Sequence, residues 1–440
     1  MKLSGWGRYP VVDCTVSAPR SETALRAQLL CGPAIAHGNG RAYGDCAINA
    51  ANTISMRRFN RMLAFDPDTG QLVAEAGVIL GDVAFAFVPR GWFPPVTPGT
   101  KFVTLGGMVA ADVHGKNHHR DGSFGAFVDW IDVMVADGSV IRCSPDENVA
   151  LFERTVGGMG LTGIILRVAF RLRPVESGWI VQTTIPAHNL DAAMEAFEGS
   201  LDATYSVAWI DCLATGSEAG RSLILFGEHA RLADLHGNAC RQPLGPAPKR
   251  KKTLPIDAPR GLLNGLTVRA FNALYWRNGL RSAGTRLVDW DSYFYPLDAI
   301  LGWNRIYGRR GFVQFQCALP LAASRDGLAQ ILNEIASAGQ GSFLAVLKRF
   351  GSQDSQLSFP MEGYTLALDF PVSTRCLALI ERLDRITIEH GGRFYLAKDG
   401  RMTPQTLRSS DPRWARFAEH RVEAGEAAAF RSAQSERLAL

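Results

Sequence analysis

The chain is expected to fold as an α+β protein of two domains, and three observations carry that expectation. Its 440 residues exceed one domain of about 150. Up to about residue 175 the apolar runs are short and are punctuated by glycine-rich turns. From Gly178 onward they lengthen into alternating strands with helical patterns between them, which reads as an antiparallel sheet with helices on one face.

In the first region, Val73–Val78, Ile131–Val135 and Ile164–Leu172 read as strands. Asp137-Gly138 between two apolar runs is a hairpin signal, and Arg173-Pro174 closes the region because proline cannot donate to a ladder. In the second, strands are expected at Trp179–Ile185, Tyr205–Leu213, Ser222–Gly227, Gly311–Leu319, Ser342–Phe350 and Tyr364–Phe370. Helical periodicity marks Leu190–Glu198 and Gly327–Ser337. The segment 241–260 interrupts this pattern with five prolines and the basic run Lys249, Arg250, Lys251 and Lys252. A mobile surface loop is expected there, and such a cation cluster can also approach an anionic membrane surface.

Composition narrows the function. At 47% hydrophobic and 20% charged the chain buries a core, and a net charge of +5 is too dilute for nucleic-acid binding. Eight cysteines without a CxxC pair argue against a disulfide framework or a zinc site, and fit a reducing cytosolic compartment. No apolar leader opens the sequence and no 18-residue apolar stretch occurs, so a soluble protein is expected, at most peripheral to a membrane. Glycine is the outlier, with 44 residues, or one in ten, against an average of about 7%.

Those glycines concentrate in three loops. The first is His37-Gly38-Asn39-Gly40-Arg41-Ala42-Tyr43-Gly44-Asp45, whose amides can converge on an anion. It is neither a Rossmann fingerprint nor a Walker A loop, and alone it is no better than an ordinary turn. The second runs from Pro98-Gly99-Thr100 through Leu105-Gly106-Gly107 to His114-Gly115-Lys116-Asn117-His118-His119, then Gly122 to Gly125. A Gly-Gly pair opening a helix lets backbone approach a diphosphate, and five polar side chains follow within six residues. A metal centre ranks low, because no carboxylate or cysteine stands at ligand spacing. The third, Val156 to Ile165, feeds glycines into an apolar strand. Three such loops in one region suggest an extended ligand larger than a single phosphate.

At these residues the sequence resembles a known family. GNGRAYGD (38–45), PGTKFVTLGGMVAADVHGKNHHRDGSFG (98–125) and GGMGLTGII (157–165) look like the flavin-binding segments of vanillyl-alcohol-oxidase (PCMH) type FAD flavoproteins. HGKNHH with GSFG resembles the decaprenylphosphoryl-β-D-ribose 2-oxidase family. The likeness continues through YSVAWID, YPLDAILGWNRIYG, GFVQFQ, VLKRFG, LSFPMEGYTLALDFP and GGRFYLAKDGR.

The resemblance implies a discontinuous FAD-binding domain, 1–177 plus 393–440, around an inserted antiparallel-sheet substrate domain, 178–392. It implies oxidation of the 2'-hydroxyl of a polyprenylphosphoryl-ribose to the 2'-keto sugar, completed by a separate short-chain reductase on the way to an arabinose lipid for the cell envelope. By the same resemblance FAD contacts Gly38 through Asp45, Ala47, Pro98, Gly99, Thr100, Leu105, Gly106, Gly107, Ala110, Ala111, Asp112, His114, Gly115 and Asn117. Gly157, Gly160, Gly163, Ile164, Tyr395 and Lys398 complete that set. The substrate is expected against His114, Lys116, Trp209, Tyr295, Gln314, Gln316, Lys348, Phe350, Thr365 and Ala367.

Many relatives tether FAD through a histidine in the first glycine loop. Arg41 stands there, which implies non-covalent FAD. Relatives also carry Asn-Ile-Cys where this chain has Thr365-Leu366-Ala367. The catalytic set implied is Lys398, to stabilise negative charge on the flavin, with Lys348, His114 and Gln316 to bind phosphate, polarise hydroxyls or accept a proton; which of these is the base stays open.

From the residues alone, Lys348 could instead belong to a solvated strand edge, Gln314 and Gln316 to a polar outer face, and Trp209 to the core. Cys317 alternates with the glutamines and is expected to point inward. Two rival functions stand beside the lipid-sugar oxidase: a flavin oxidase of a soluble sugar, polyol or aldonolactone, and a flavin-binding partner subunit without turnover.

Overall fold

The computed structural model describes residues 1–245, 251–259 and 261–440. Two antiparallel sheets dominate, and the glycine-rich segments lie between them. The first has five strands, in the order Val140–Cys143, Val128–Met134, Ile164–Arg171, Gln71–Glu75 and Met62–Phe65. Its hairpin turns where Asp137-Gly138 demanded it: Gly138 takes φ +79° and Asp137 accepts from the Ser139 amide at 2.8 Å. A small parallel sheet places Thr53–Ser55 between Val16–Ser17 and Ile35–His37, so the first glycine loop begins at a strand end.

The second sheet has eight strands, in the order Gly284–Asp289, Trp179–Ala187, Ser222–His229, Tyr205–Ile210, Ala345–Phe350, Gly363–Pro371, Phe312–Pro320 and Arg393–Phe394. All its pairings are antiparallel. On one face, Leu321–Ala338 and Thr374–Glu389 bury Leu328, Ile331, Ile335, Leu379 and Leu383 against Leu319, Leu366 and Leu368. Truncating one such leucine to alanine costs about 2–5 kcal/mol, so this layer holds the sheet rigid. The period of two sends the alternate residues, Gln314, Gln316, Thr365 and Ala367, to the opposite face. Cys317 is fully buried in the core, as expected.

Two features depart from the sequence reading. Helices cover both faces of the large sheet, because Gly265–Arg281, where no element was expected, packs Gly279 against Leu223 on the second face. Arg173-Pro174 does more than end a strand: it pairs with Trp92–Phe93. In the segment 241–260, Lys252–Thr253 pairs with Ile300–Leu301, and Asp257 accepts from Arg8 at 2.6 Å. Lys249 and Arg250 of the basic run lie outside the described residues.

The last 48 residues return to the beginning of the chain. Arg431 donates its amide to Ala34 at 3.0 Å, buried Arg421 donates to the Leu161 carbonyl at 3.0 Å, and Arg437 pairs with Asp45 at 2.8 Å and Asp399 at 3.0 Å. Gly44 packs directly on the Asp399 backbone, where any side chain would collide.

Candidate active site

A cavity of about 790 Å³ opens where the glycine segments meet the polar face of the eight-stranded sheet. That size suits a cofactor together with a small substrate group. One wall is backbone: residues 38–44, Ala47, Pro98, Gly99, Thr100, Gly106, Gly107, Ala110, Ala111, Gly160 and Gly163 all face it. Gly106 opens the short helix Leu105–Ala110, and a Cβ there would stand 2.8 Å from Cβ of Ala76, so glycine sets how closely helix and strand approach. Asn39 ties the first loop to the second by donating to the Phe102 carbonyl at 2.8 Å.

The opposite wall carries the chemistry. Lys116, Lys348 and Lys398 enter with His114, Gln314, Gln316, Thr365, Ala367, Trp209 and Tyr395. Lys348 is not on a solvated edge: its strand lies between Tyr205–Ile210 and Gly363–Pro371. The glutamines are not an outer face either. Gln314 donates to Asp369 Oδ1 at 2.5 Å, and Gln316 reaches Thr365 Oγ1 at 3.3 Å and His114 Nε2 at 3.2 Å. Trp209 belongs to the wall, tilted against Tyr275 at 4.8 Å.

The remaining expected residues support this wall and do not line it. Asp45 pairs with Arg437, and Asp112 accepts from the Gly125 amide at 2.8 Å and from Gln353 at 2.9 Å. Asn117 donates to the Pro95 carbonyl at 2.9 Å and to Asp121 at 2.8 Å. Leu105 and Ile164 are in the core, Gly115 packs against Asn117 and Thr97, and Gly157 packs against Leu357 and Ser358. Phe350 stands behind the His114 ring at 4.8 Å, and Tyr295 lies under Lys101, fully buried among Trp290 and Phe294.

Enclosure sets the electrostatics. Burial lowers Lys348 to about 8; burial, then repulsion from Lys348, lowers Lys116 to about 7. His114 is held well below its usual value, chiefly by burial and then by Lys348, so its imidazole is neutral near pH 7. Lys116 also donates to the Tyr293 carbonyl. The Lys398 ammonium lies 3.8 Å from the Tyr43 ring centroid. Burial lowers Lys398 and raises Asp369, and the charge of each partly offsets the other's shift.

Asp369 escaped the sequence reading, although its spacing from Thr365 and Ala367 puts it on the same strand face. So did Asp298, which accepts from Thr100 Oγ1 and the Lys101 amide, both at 2.8 Å, and so anchors the second glycine loop. Nothing local marks Asp298, since its partners lie 197 and 198 residues away.

The residues present fit a dinucleotide. Its wall of loop backbone comes from all three glycine segments, and Nε of Arg41 and Nδ1 of His114 are buried at the cavity without a protein partner. Among the described residues no cluster of His, Cys, Asp or Glu could hold a metal ion, and all eight cysteines are free thiols.

Comparison with known proteins agrees. Residues 21–144 match an FAD binding domain. The whole chain is 35% identical to the decaprenylphosphoryl-β-D-ribose oxidase of Mycolicibacterium smegmatis, covering 97% of that protein. An uncharacterised protein of Streptomyces coelicolor is 33% identical over 82% of this chain and all of its own length. Mouse L-gulonolactone oxidase is 28% identical over 167 residues, 37% of each chain. Fold and site therefore define an FAD-dependent oxidoreductase with a large antiparallel sheet over its cofactor segments. The chain belongs to the decaprenylphosphoryl-β-D-ribose oxidase family.

Proposed function

We propose that this enzyme oxidises the 2'-hydroxyl of a polyprenylphosphoryl-β-D-ribose to the 2'-keto sugar, using FAD held without a covalent bond. The observation that carries this reading is the convergence of Lys116, Lys348 and Lys398 on one enclosed cavity walled on its other side by glycine-loop backbone. Three amines in one enclosed space call for an anion, which a phosphorylated substrate supplies and a neutral sugar does not.

Bound FAD supplies the two-electron oxidation of the carbinol carbon. The glycine loops and Lys398 hold it, and Arg41, stacked 4.2 Å from Trp6 and 4.9 Å from Phe102, offers no tethering nucleophile. Lys348 and Lys116 hold the substrate phosphate. Gln316, fixed between His114 and Thr365, orients the ribose hydroxyls, and Thr365 with Ala367 shapes the floor beneath them. The Lys398–Asp369 pair takes the hydroxyl proton, since a group poised near neutrality serves better than an imidazole of strongly depressed basicity.

In this reading an FAD-binding domain of 1–177 with 393–440 surrounds a substrate domain of 178–392, supported by the contacts of Arg421, Arg431 and Arg437 with the first 165 residues. The keto product passes to a short-chain reductase, and the enzyme works in the cytoplasm at the inner membrane face, where its lipid substrate resides. Similarity to the gulonolactone oxidase is confined to about a third of the chain, which supports a shared cofactor segment and no shared substrate.

The test is anaerobic mixing of the FAD-loaded enzyme with farnesylphosphoryl-β-D-ribose, with free ribose and an aldonolactone as controls. Flavin bleaching by the lipid sugar alone is expected. Bleaching by the free sugars alone would establish the soluble-sugar oxidase, and protein that purifies colourless and takes up no FAD would end every flavin reading.

A further inference from the structure

Resting on the lipid-linked substrate proposed above, we infer that the outer face of helix Gly265–Arg281 is the surface by which this enzyme docks on an anionic lipid bilayer, with the active-site cavity opening beside it.

The helix has two opposed faces. Its inner face carries Val268, Asn272, Trp276 and Gly279, which are buried, and brings Phe271 and Tyr275 to the cavity wall. Its outer face leaves apolar side chains in water: Leu266 is 81% exposed and Leu274 61% exposed, with Ala270, Ala273 and Leu280 also exposed on that side. A soluble helix normally turns its leucines inward; this one packs with its small and aromatic residues and presents leucines outward.

Charge decides what covers that face. Between residues 261 and 288 there are four arginines, Arg269, Arg277, Arg281 and Arg286, and no aspartate or glutamate. Arg277 and Arg281 are exposed within the leucine stripe itself. Leucines interleaved with arginines on one face suit an in-plane helix, the apolar chains entering the acyl boundary and the guanidiniums meeting lipid phosphates. A second copy of this chain would set arginine against arginine across a two-fold axis, which disfavours that occupant.

The cavity gives the docking a purpose. Trp209, Phe271, Tyr275 and Phe343 form an aromatic wall immediately inside the helix, with Phe271 4.7 Å from Phe343 and 5.7 Å from Tyr275. An isoprenoid chain can lie along that wall and leave directly into the bilayer under the outer face, so no long apolar tail needs to cross water. By contrast Lys251, the first described residue of the basic run, turns inward, 4.6 Å from the Phe102 ring.

The test is sedimentation of the FAD-loaded enzyme with vesicles of phosphatidylcholine alone or mixed equally with phosphatidylglycerol. The native enzyme is expected to pellet with the phosphatidylglycerol vesicles and to be released by high salt. Leu266→Asp with Leu274→Asp should remain in the supernatant. Arg277→Ser with Arg281→Ser should bind about twenty-five-fold more weakly, at about fivefold per arginine. Neither pair lines the cavity, so both variants should keep native melting temperature, flavin content and turnover of farnesylphosphoryl-ribose in detergent. Native enzyme that ignores anionic vesicles, or variants that bind as it does, would overturn the docking face. So would a native dimer that the leucine substitutions convert to monomer without any vesicle binding. Failure of the lipid sugar to bleach the flavin in detergent would strike the functional reading instead, and the two failures are separately visible.

Discussion

The side-chain amide nitrogen of Gln316 lies 3.2 Å from Nε2 of His114, joining the large sheet to the second glycine loop across 202 residues of sequence. The contact fixes the imidazole where Phe350 and Tyr395 pack against it at 4.8 and 5.0 Å. It also makes the polar wall one unit with the cofactor segments, so that a change in either is felt at the reacting hydroxyl.

Gln316→Leu keeps the volume and removes this link. Turnover of farnesylphosphoryl-ribose should fall at least about tenfold, the effect of losing one buried hydrogen bond that orients a reacting group. FAD content measured by absorbance should not change. Full activity in the variant would show that His114 needs no positioning.

Lys398→Ala removes the amine that balances Asp369. The variant should bind FAD yet lose flavin reduction by about two to three orders of magnitude, as expected when a charge-stabilising group leaves an enclosed site. Asp369→Asn should slow reduction as well, because the carboxylate supports the ammonium and holds Gln314. Rapid-mixing absorbance measures both, and unchanged reduction in Lys398→Ala would remove that residue from the mechanism.

Affinity for the phosphate should depend on pH. Lys348 is lowered to about 8 by burial, and a lysine binds an anion as the cation present below that value. Dissociation constants for farnesyl phosphate are therefore expected to rise between pH 7 and pH 9, approaching about tenfold per unit above the Lys348 value. Lys348→Arg, whose guanidinium stays charged, should remove the Lys348 share of that rise and leave the share due to Lys116, which loses its charge around 7. A flat profile in the native enzyme would assign phosphate binding elsewhere.

Arg437→Met strands Asp45 and Asp399, both almost fully buried, without their shared cation. Stability should drop by about 3 kcal/mol, read as a lower melting temperature. Flavin retention should fall too, since Asp45 closes the first glycine loop. Acid precipitation of native enzyme should leave the yellow colour in the supernatant, and a yellow pellet would contradict the reading of Arg41.

Much of this was legible in the sequence because its signals are local. Asp137-Gly138 forced a hairpin, alternation marked the strands of the large sheet, and the glycine runs marked the backbone wall. Gln314 and Gln316 declared a shared face, but only the neighbouring strands decided that it was an enclosed one. What stayed hidden depends on distant partners. Asn117 and Tyr295 carry polar groups that suit a ligand, yet the Asn117 side-chain nitrogen is taken up by Pro95 and Asp121 and Tyr295 is buried among aromatic rings. Helix Gly265–Arg281 gives no clear periodic signal because its apolar residues stand on both faces, Val268 and Trp276 inward and Leu266 and Leu274 outward.

The central claim is that oxidation occurs at C2' of a phosphoribosyl lipid. Single-turnover flavin reduction with farnesylphosphoryl-ribose carrying deuterium at C2' tests it most directly. Reduction should slow several-fold against the unlabelled compound, while deuterium at C3' leaves the rate unchanged. Equal rates with and without the C2' label when C–H cleavage limits reduction, or slowing by the C3' label alone, would contradict the claim.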